Sequence, residues 1–357
     1  MNLTISADAI PTVIRTSFRS KRSPLFVGPP GIGKTDLVNA AADQLSRAIG
    51  KPVACYTLHL ASMSEVDLRG YLIIDGDRSR FTKPSFWHAV EAHEYGILFV
   101  DEFKQATHEM QKAAAQLLQE RRIGEWALPP GWIVVGASNR ASDNAGTNSL
   151  LSHVVNRLCI IEVTPPDVDS WVHWAANNQL APEVIAFARL RPDIVFSSAP
   201  PEADDEPYIT ARSLHAASDT MLAFDGGPAA CINSPIGMAM VAGSIGRGPA
   251  SELAALVNMA STLPTYEEII TRPEQVPVPE KPDMAYAALM LAAVRAKPEH
   301  LEQVATYITR FNPNFVLVGL TAFVGRHNEA AATQAVARWV SDNRQLMAKL
   351  SKYIRYV

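Results

Sequence analysis

The chain has 357 residues, enough for two or three domains with buried cores. Its 48% hydrophobic and 19% charged residues are ordinary for a soluble globular protein. The formal net charge of −4 argues against nucleic-acid binding by global electrostatic attraction. Cys55, Cys159 and Cys231 lack metal-ligand spacing and read as buried free thiols in a reducing cytoplasm. The segment 1–22 carries its basic residues after a weak apolar stretch, unlike a signal peptide, and the apolar run Ala287 to Val294 is too short to span a bilayer. These features predict a soluble cytoplasmic protein without membrane insertion.

From Ser23 to about Thr164, short apolar strands alternate with helical stretches, the pattern of an α/β fold with a parallel sheet covered by helices on both faces. Strands are predicted over Ser23 to Gly28, Pro52 to Leu60, Gly96 to Glu102, Trp132 to Asn139 and Leu158 to Val163. A helix follows the first strand, with Leu37, Val38, Ala41 and Leu45 at helical spacing and Gly50 as its stop. Another runs from His108 to Glu120, with Met110, Ala114, Leu117 and Leu118 on one side. Pro165 and Pro166 close the unit. An α-rich region follows, in which Trp171 and Trp174 read as core residues. The Pro-rich stretch Arg272 to Asp283 reads as a linker before a last helical region. The expected division is a nucleotide-binding core over 1–165, an α-helical domain over 166–265, and a linker with helical extension over 266–357.

Residues 28–35 read GPPGIGKT, the phosphate-binding loop G-x-x-x-x-G-K-[ST], with a strand before it and a helix after. Gly28, Gly31 and Gly33 permit φ > 0 and a close approach of backbone N–H groups to a polyphosphate. Lys34 is expected to reach the β- and γ-phosphates and Thr35 to ligate Mg²⁺. Pro29, Pro30, Ile32 and Asp36 complete the expected nucleotide contact. Asp101 and Glu102 end the buried run ILFVDE, at the strand edge where α/β sheets place ligands. Asp101 suits the metal, directly or through water, and Glu102 suits the base that orients the attacking water. Asn139, at the end of the next strand, could contact the γ-phosphate or that water. Arg157 falls where, in a ring, it would face a neighbour's nucleotide, and Arg212 opens a helix within reach of the γ-phosphate in cis. The cofactors expected are ATP and Mg²⁺.

Taken in order, GPPGIGKT, ILFVDEF, GASN, the NR at 156–157 and TARSL resemble an AAA+ ATPase, most nearly the MoxR-like branch of the clade with an insert in its second helix. SEVDLRGYLIIDGDRSRFTKPSFWHAV is similar to that insert: extended pieces flank a turn at Asp75-Gly76-Asp77, which implies a β-hairpin near 65–85. AGTNSLLSHVVNR is similar to the loop before the family's arginine finger, although Asn156 stands where the family has an acid. The resemblance implies a helical lid, a homo-hexameric ring with Arg157 acting in trans, and chaperone-like remodelling of a protein client, often with a von Willebrand A partner. A nucleic-acid motor or loader is the alternative, kept open by the basic clusters Arg19-Lys21-Arg22, Arg69-Arg78-Arg80-Lys83 and Arg121-Arg122. A nucleotide-gated scaffold that barely hydrolyses is a third reading, against which intact Glu102 and Asn139 weigh.

Overall fold

A computed structural model describes residues 4–143, 148–150, 155, 158–197 and 206–345. The chain forms two compact units, Met1–Asp167 with Ser197–Glu202, and Val168–Phe196 with Ala203–Val357.

The first unit is built on a six-stranded sheet in the order β1-β10-β2-β9-β6-β3, in which every described pairing is parallel. Its strands are β1 (Thr4–Ser6), β2 (Pro24–Val27), β3 (Val53–His59), β6 (Tyr95–Asp101), β9 (Trp132–Ser138) and β10 (Cys159–Thr164). The central strands are continuous apolar runs because both faces are covered. Leu98, Val100 and Val134 face one core, with Met110, Ala114 and Leu117 of helix α5 (His108–Glu120). Ile97, Phe99, Ile133 and Val135 face the other, with Ile10 and Ile14 of α1 (Ile10–Ser20) and Val38 and Ala41 of α2 (Lys34–Ile49). The strand alternation thus sends neighbouring residues into opposite cores.

Helix ends follow local chemistry. The Thr107 side chain accepts a hydrogen bond from Met110 N and caps α5, while Gly50 ends α2 in the left-handed region. Between α3 (Glu65–Arg69) and α4 (Phe86–Glu91), β4 (Leu72–Asp75) and β5 (Arg78–Phe81) form the expected antiparallel hairpin. Ile74, near its tip, is 84% exposed. Three features escaped the sequence reading. The first is β1, which extends the sheet beyond β10, and the second is α1, whose Ile10, Ile14 and Phe18 are buried one turn apart. The third is a short hairpin of β7 (Arg122–Ile123) and β8 (Trp126–Ala127). That hairpin uses Arg121, read earlier as part of a basic cluster, as a structural clamp. Its guanidinium donates to the carbonyls of Pro129 and Trp132 at 3.1 and 2.7 Å.

The second unit is helical. One apolar cluster runs through it and includes Trp171, Leu214, Leu253, Leu289, Tyr307 and Trp339. Residues on both sides of the expected boundary at 265 therefore share one core, which explains why the two stretches form a single compact unit. Trp171 is buried as expected, edge-on to Phe196 at 5.7 Å between centroids. The Pro-rich stretch does connect helices, although Pro282 and Asp283 already belong to the helix Pro282–Arg295. Among the described residues no single helix is long and apolar enough to cross a membrane. The bent pair Gly227–Asn233 and Pro235–Ile245 (93°) meets the length and composition test only when its two parts are joined.

Candidate nucleotide-binding site

The site sits where the strand order turns. β2 lies between β10 on one side and β9, β6 and β3 on the other, so the loop after β2 emerges at the switch point of an open α/β sheet. Gly31 and Gly33 adopt φ of 76° and 82°, as the loop requires. Gly28 does not share that conformation, which corrects one expectation. Its need for glycine is steric, since a Cβ there would lie 2.6 Å from the Val163 carbonyl oxygen of β10. The Gly28 N–H donates to the Ser138 carbonyl at 3.1 Å, tying the loop to the end of β9. Pro29 and Ile32 are buried, Pro30 is half-buried, and Asp36 is exposed on the first turn of α2.

Lys34 opens α2 and is only 8% exposed. A buried ammonium must be solvated by the protein. Here it donates to the carbonyls of Gly28 and Pro29, both at 2.9 Å, and to Asn139 Oδ1 at 3.2 Å. Lys34 and Asn139, 105 positions apart, are thus in direct contact.

Asp101 ends β6, which pairs with β9 on one side and β3 on the other. Asp101 and Glu102 are both half-buried, and Asp101 Oδ1 accepts from the Glu102 backbone N–H at 2.9 Å. Among the described residues Glu102 is one of four non-glycine residues with positive φ, at 59°. An L-residue is rarely held there without support from its surroundings. That support comes from β9: Phe103 N donates to Ala137 O at 3.0 Å and Lys104 N to Ser138 Oγ at 3.1 Å. Sequence reading passed over Ser138 and Gln105, whose oxygens lie 3.1 Å apart. A polar residue at the end of the otherwise apolar run WIVVGAS was the available signal. It also passed over Asp143, whose buried carboxylate accepts from the Arg140 guanidinium at 2.7 Å just beyond Asn139.

A threonine hydroxyl and an aspartate carboxylate, the groups expected of Thr35 and Asp101, are oxygen donors of the kind that fits a hard divalent cation. Among the described residues no cluster of three or more His, Cys, Asp or Glu could hold a metal ion. Arg157 and Asn156 lie outside the described residues. Arg212 is exposed, the second residue of the helix Ala211–Ala223, which starts at a Thr210 cap in the second unit. Cys159 is exposed rather than buried, whereas Cys231 is buried and Cys55 half-buried.

The sheet order, the glycine loop and the Lys34–Asn139 contact define a P-loop α/β nucleotide-binding module. Residues 23–158 match the sequence profile of the AAA domain, dynein-related subfamily. The matched segment is similar to AAA domains, which are in general NTP-hydrolysing modules. No curated protein matches the chain. Among solved structures it is similar to Hsp104 in a closed state with ATPγS and FITC-casein, at 16% identity and TM-score 0.37 over 71% of this chain; the match spans 44% of the Hsp104 chain. It is also similar to a RuvB mutant of Thermotoga maritima, at 13% identity and TM-score 0.35, over 95% of this chain and 88% of that one.

Proposed function

We propose that the protein is a MoxR-like ring ATPase that couples hydrolysis of ATP to remodelling, or chaperone-like activation, of a protein partner. The observation that carries the catalytic part is the convergence, at one edge of the sheet, of Lys34 in contact with Asn139 and of Asp101 followed by a conformationally constrained Glu102. Lys34 exchanges its three loop and side-chain acceptors for phosphate oxygens when a nucleotide enters. Thr35 and Asp101 would hold Mg²⁺, which when bound would offset the charge of the phosphates. Glu102 orients and deprotonates the attacking water, and Asn139 holds the water or the γ-phosphate. Arg157 serves the neighbouring subunit's site in a hexamer, and Arg212 serves its own. The client is a protein, with a von Willebrand A protein as the partner class.

Three residues of the basic clusters that kept a nucleic-acid motor open are paired with acids. Arg69 pairs with Glu65, Arg80 with Asp75, and Lys83 with Glu91. Lys21 donates to the Pro130 carbonyl and covers the Phe18 ring.

The test is ATP hydrolysis by the purified chain, together with its assembly state. Wild type should hydrolyse ATP and form a larger ring with nucleotide. Arg157→Ala should lose activity and recover part of it when mixed with Glu102→Gln subunits, because mixed rings place an intact arginine beside a competent Glu102. Rings that form but show no recovery on mixing would remove the trans role. Stimulation by DNA or RNA that falls steeply with salt would instead favour the nucleic-acid motor.

A further inference from the structure

Ser138 is 1% exposed and stands where three parts of the candidate site meet. Its backbone carbonyl accepts from Gly28 N at 3.1 Å, at the start of the phosphate loop. Its hydroxyl oxygen accepts from Lys104 N at 3.1 Å, two residues beyond Glu102. The residue that follows the end of β9 is Asn139 itself. We propose that Ser138, acting with Gln105, is the positioning residue that holds Glu102 and Asn139 in one catalytic arrangement.

The physical argument starts from the Glu102 backbone. At φ 59° it occupies a region that is unfavourable for an L-residue with a long side chain. The turn 102–106 keeps it there. Within the turn, Gln105 N and Ala106 N both donate to the Glu102 carbonyl, at 3.0 and 3.2 Å. Outside it, two anchors on β9 fix the turn in space: Phe103 N to Ala137 O at 3.0 Å, and Lys104 N to Ser138 Oγ. The first anchor is backbone to backbone and survives any substitution of the side chains. The second exists only because residue 138 carries a hydroxyl.

That hydroxyl has one proton and two acceptors within reach, Gln105 Oε1 at 3.1 Å and the Asn139 carbonyl at 3.2 Å. With the proton on the first, Ser138 braces the Glu102 turn from its side chain as well as its backbone. With the proton on the second, it braces the peptide that carries Asn139. One buried hydroxyl therefore ties the water-orienting acid to the phosphate-sensing amide, and Gly28 hangs from the same residue. An alanine at 138 leaves the Lys104 N–H without its acceptor and frees the turn to relax toward ordinary φ, which displaces the Glu102 carboxylate. The phosphate loop keeps its own anchor, because that one is the Ser138 backbone carbonyl.

The inference rests on the assignment of Glu102 and Asn139 to ATP hydrolysis. Its test is steady-state kinetics of the full chain, wild type beside Ser138→Ala and Gln105→Leu. The expected result is a kcat reduced about 10- to 100-fold by Ser138→Ala, with KM for ATP and the affinity for a fluorescent ATP analogue nearly unchanged. Gln105→Leu should shift kcat in the same direction by less, and Ser138→Thr, which keeps the hydroxyl, should restore much of it. In a Glu102→Gln background, Ser138→Ala should cost almost nothing further, since the group it positions is already gone. Wild-type kcat in Ser138→Ala overturns the inference while leaving the ATPase reading intact. So does an equal loss in both backgrounds, or a loss confined to KM. If wild type binds ATP and never hydrolyses it, the ATPase reading fails and this inference fails with it. A thermal melt of each variant separates these outcomes from unfolding.

Discussion

The Lys34 ammonium donates to two backbone carbonyls and the Asn139 amide oxygen. This arrangement keeps a buried charge solvated and keeps the loop closed on itself, so a triphosphate finds its cation already in place. Lys34→Ala should therefore weaken binding of a fluorescent ATP analogue by at least about 30-fold, the order expected for losing a buried charge-assisted contact. Glu102→Gln should keep that binding and lose turnover, and wild-type turnover in it would remove the water-orienting role. Thiol chemistry offers a second check at this scale. Burial pushes the Cys55 thiol up to about 11, with Asp43 adding to the effect. Its reactive thiolate is thus scarce at pH 8 and grows only as the pH approaches that value. Cys159 is exposed and Cys231 buried. A disulfide reagent at pH 8 should titrate one thiol quickly in the folded protein, and Cys159→Ser should abolish the fast phase.

Elements explain what local patterns left open. The runs ILFV and IVVG announce buried strands by composition, but the order of those strands depends on which neighbours they pair with. β1 has only three residues, none of them fully buried, so nothing in its own pattern distinguishes it from a loop; pairing with β10 makes it a strand. The hairpin of β4 and β5 was legible through Asp75-Gly76-Asp77, a turn signal between two extended pieces. Its base depends on Gly70, whose φ is 89° and whose hypothetical Cβ would overlap the Thr82 carbonyl oxygen at 1.7 Å. Gly70→Ala should detach the hairpin base while leaving the parallel sheet folded. Limited trypsin digestion should then cut faster at Arg78 and Arg80, with far-ultraviolet circular dichroism little changed. Unchanged cleavage would show that the hairpin tolerates the strain.

At the scale of the whole molecule, the second unit raises a separate question of stability. Its core joins Leu253 and Val257 to Leu289, Val304 and Tyr307, so the C-terminal helices complete an apolar interior rather than decorate one. A chain ending at residue 265 would expose that interior. Its second unit should lose cooperative unfolding and bind a hydrophobic dye, whereas its first unit should retain nucleotide binding. Glu183 adds a local constraint. Its nearly buried carboxylate accepts from Arg295 at 2.5 Å, across 112 positions of sequence. Arg295→Met leaves that carboxylate buried without its cation, at a cost of about 2–4 kcal/mol in a denaturant titration.

Short-range chemistry was enough to read much of this protein. A glycine-rich loop followed by Lys34, acids at the end of an apolar run, and Asn139 at the end of the next run are each recognisable because the role proposed for them needs a particular residue beside a particular strand end. The α/β class followed from periodicity in the same way. Other features exist only through distance in sequence and proximity in space. The Lys34–Asn139 contact, the hold of β9 on the Glu102 turn through Ser138, and the reason for glycine at 28 all depend on strands that meet side by side in the sheet. The same holds for the single helical core, in which a stretch read as a linker proved to be a connection between parts of one interior. A residue's local pattern encodes its preferred conformation and which face it buries. Its partners are chosen by packing between segments, where burial and hydrogen bonding are satisfied collectively and no segment decides alone.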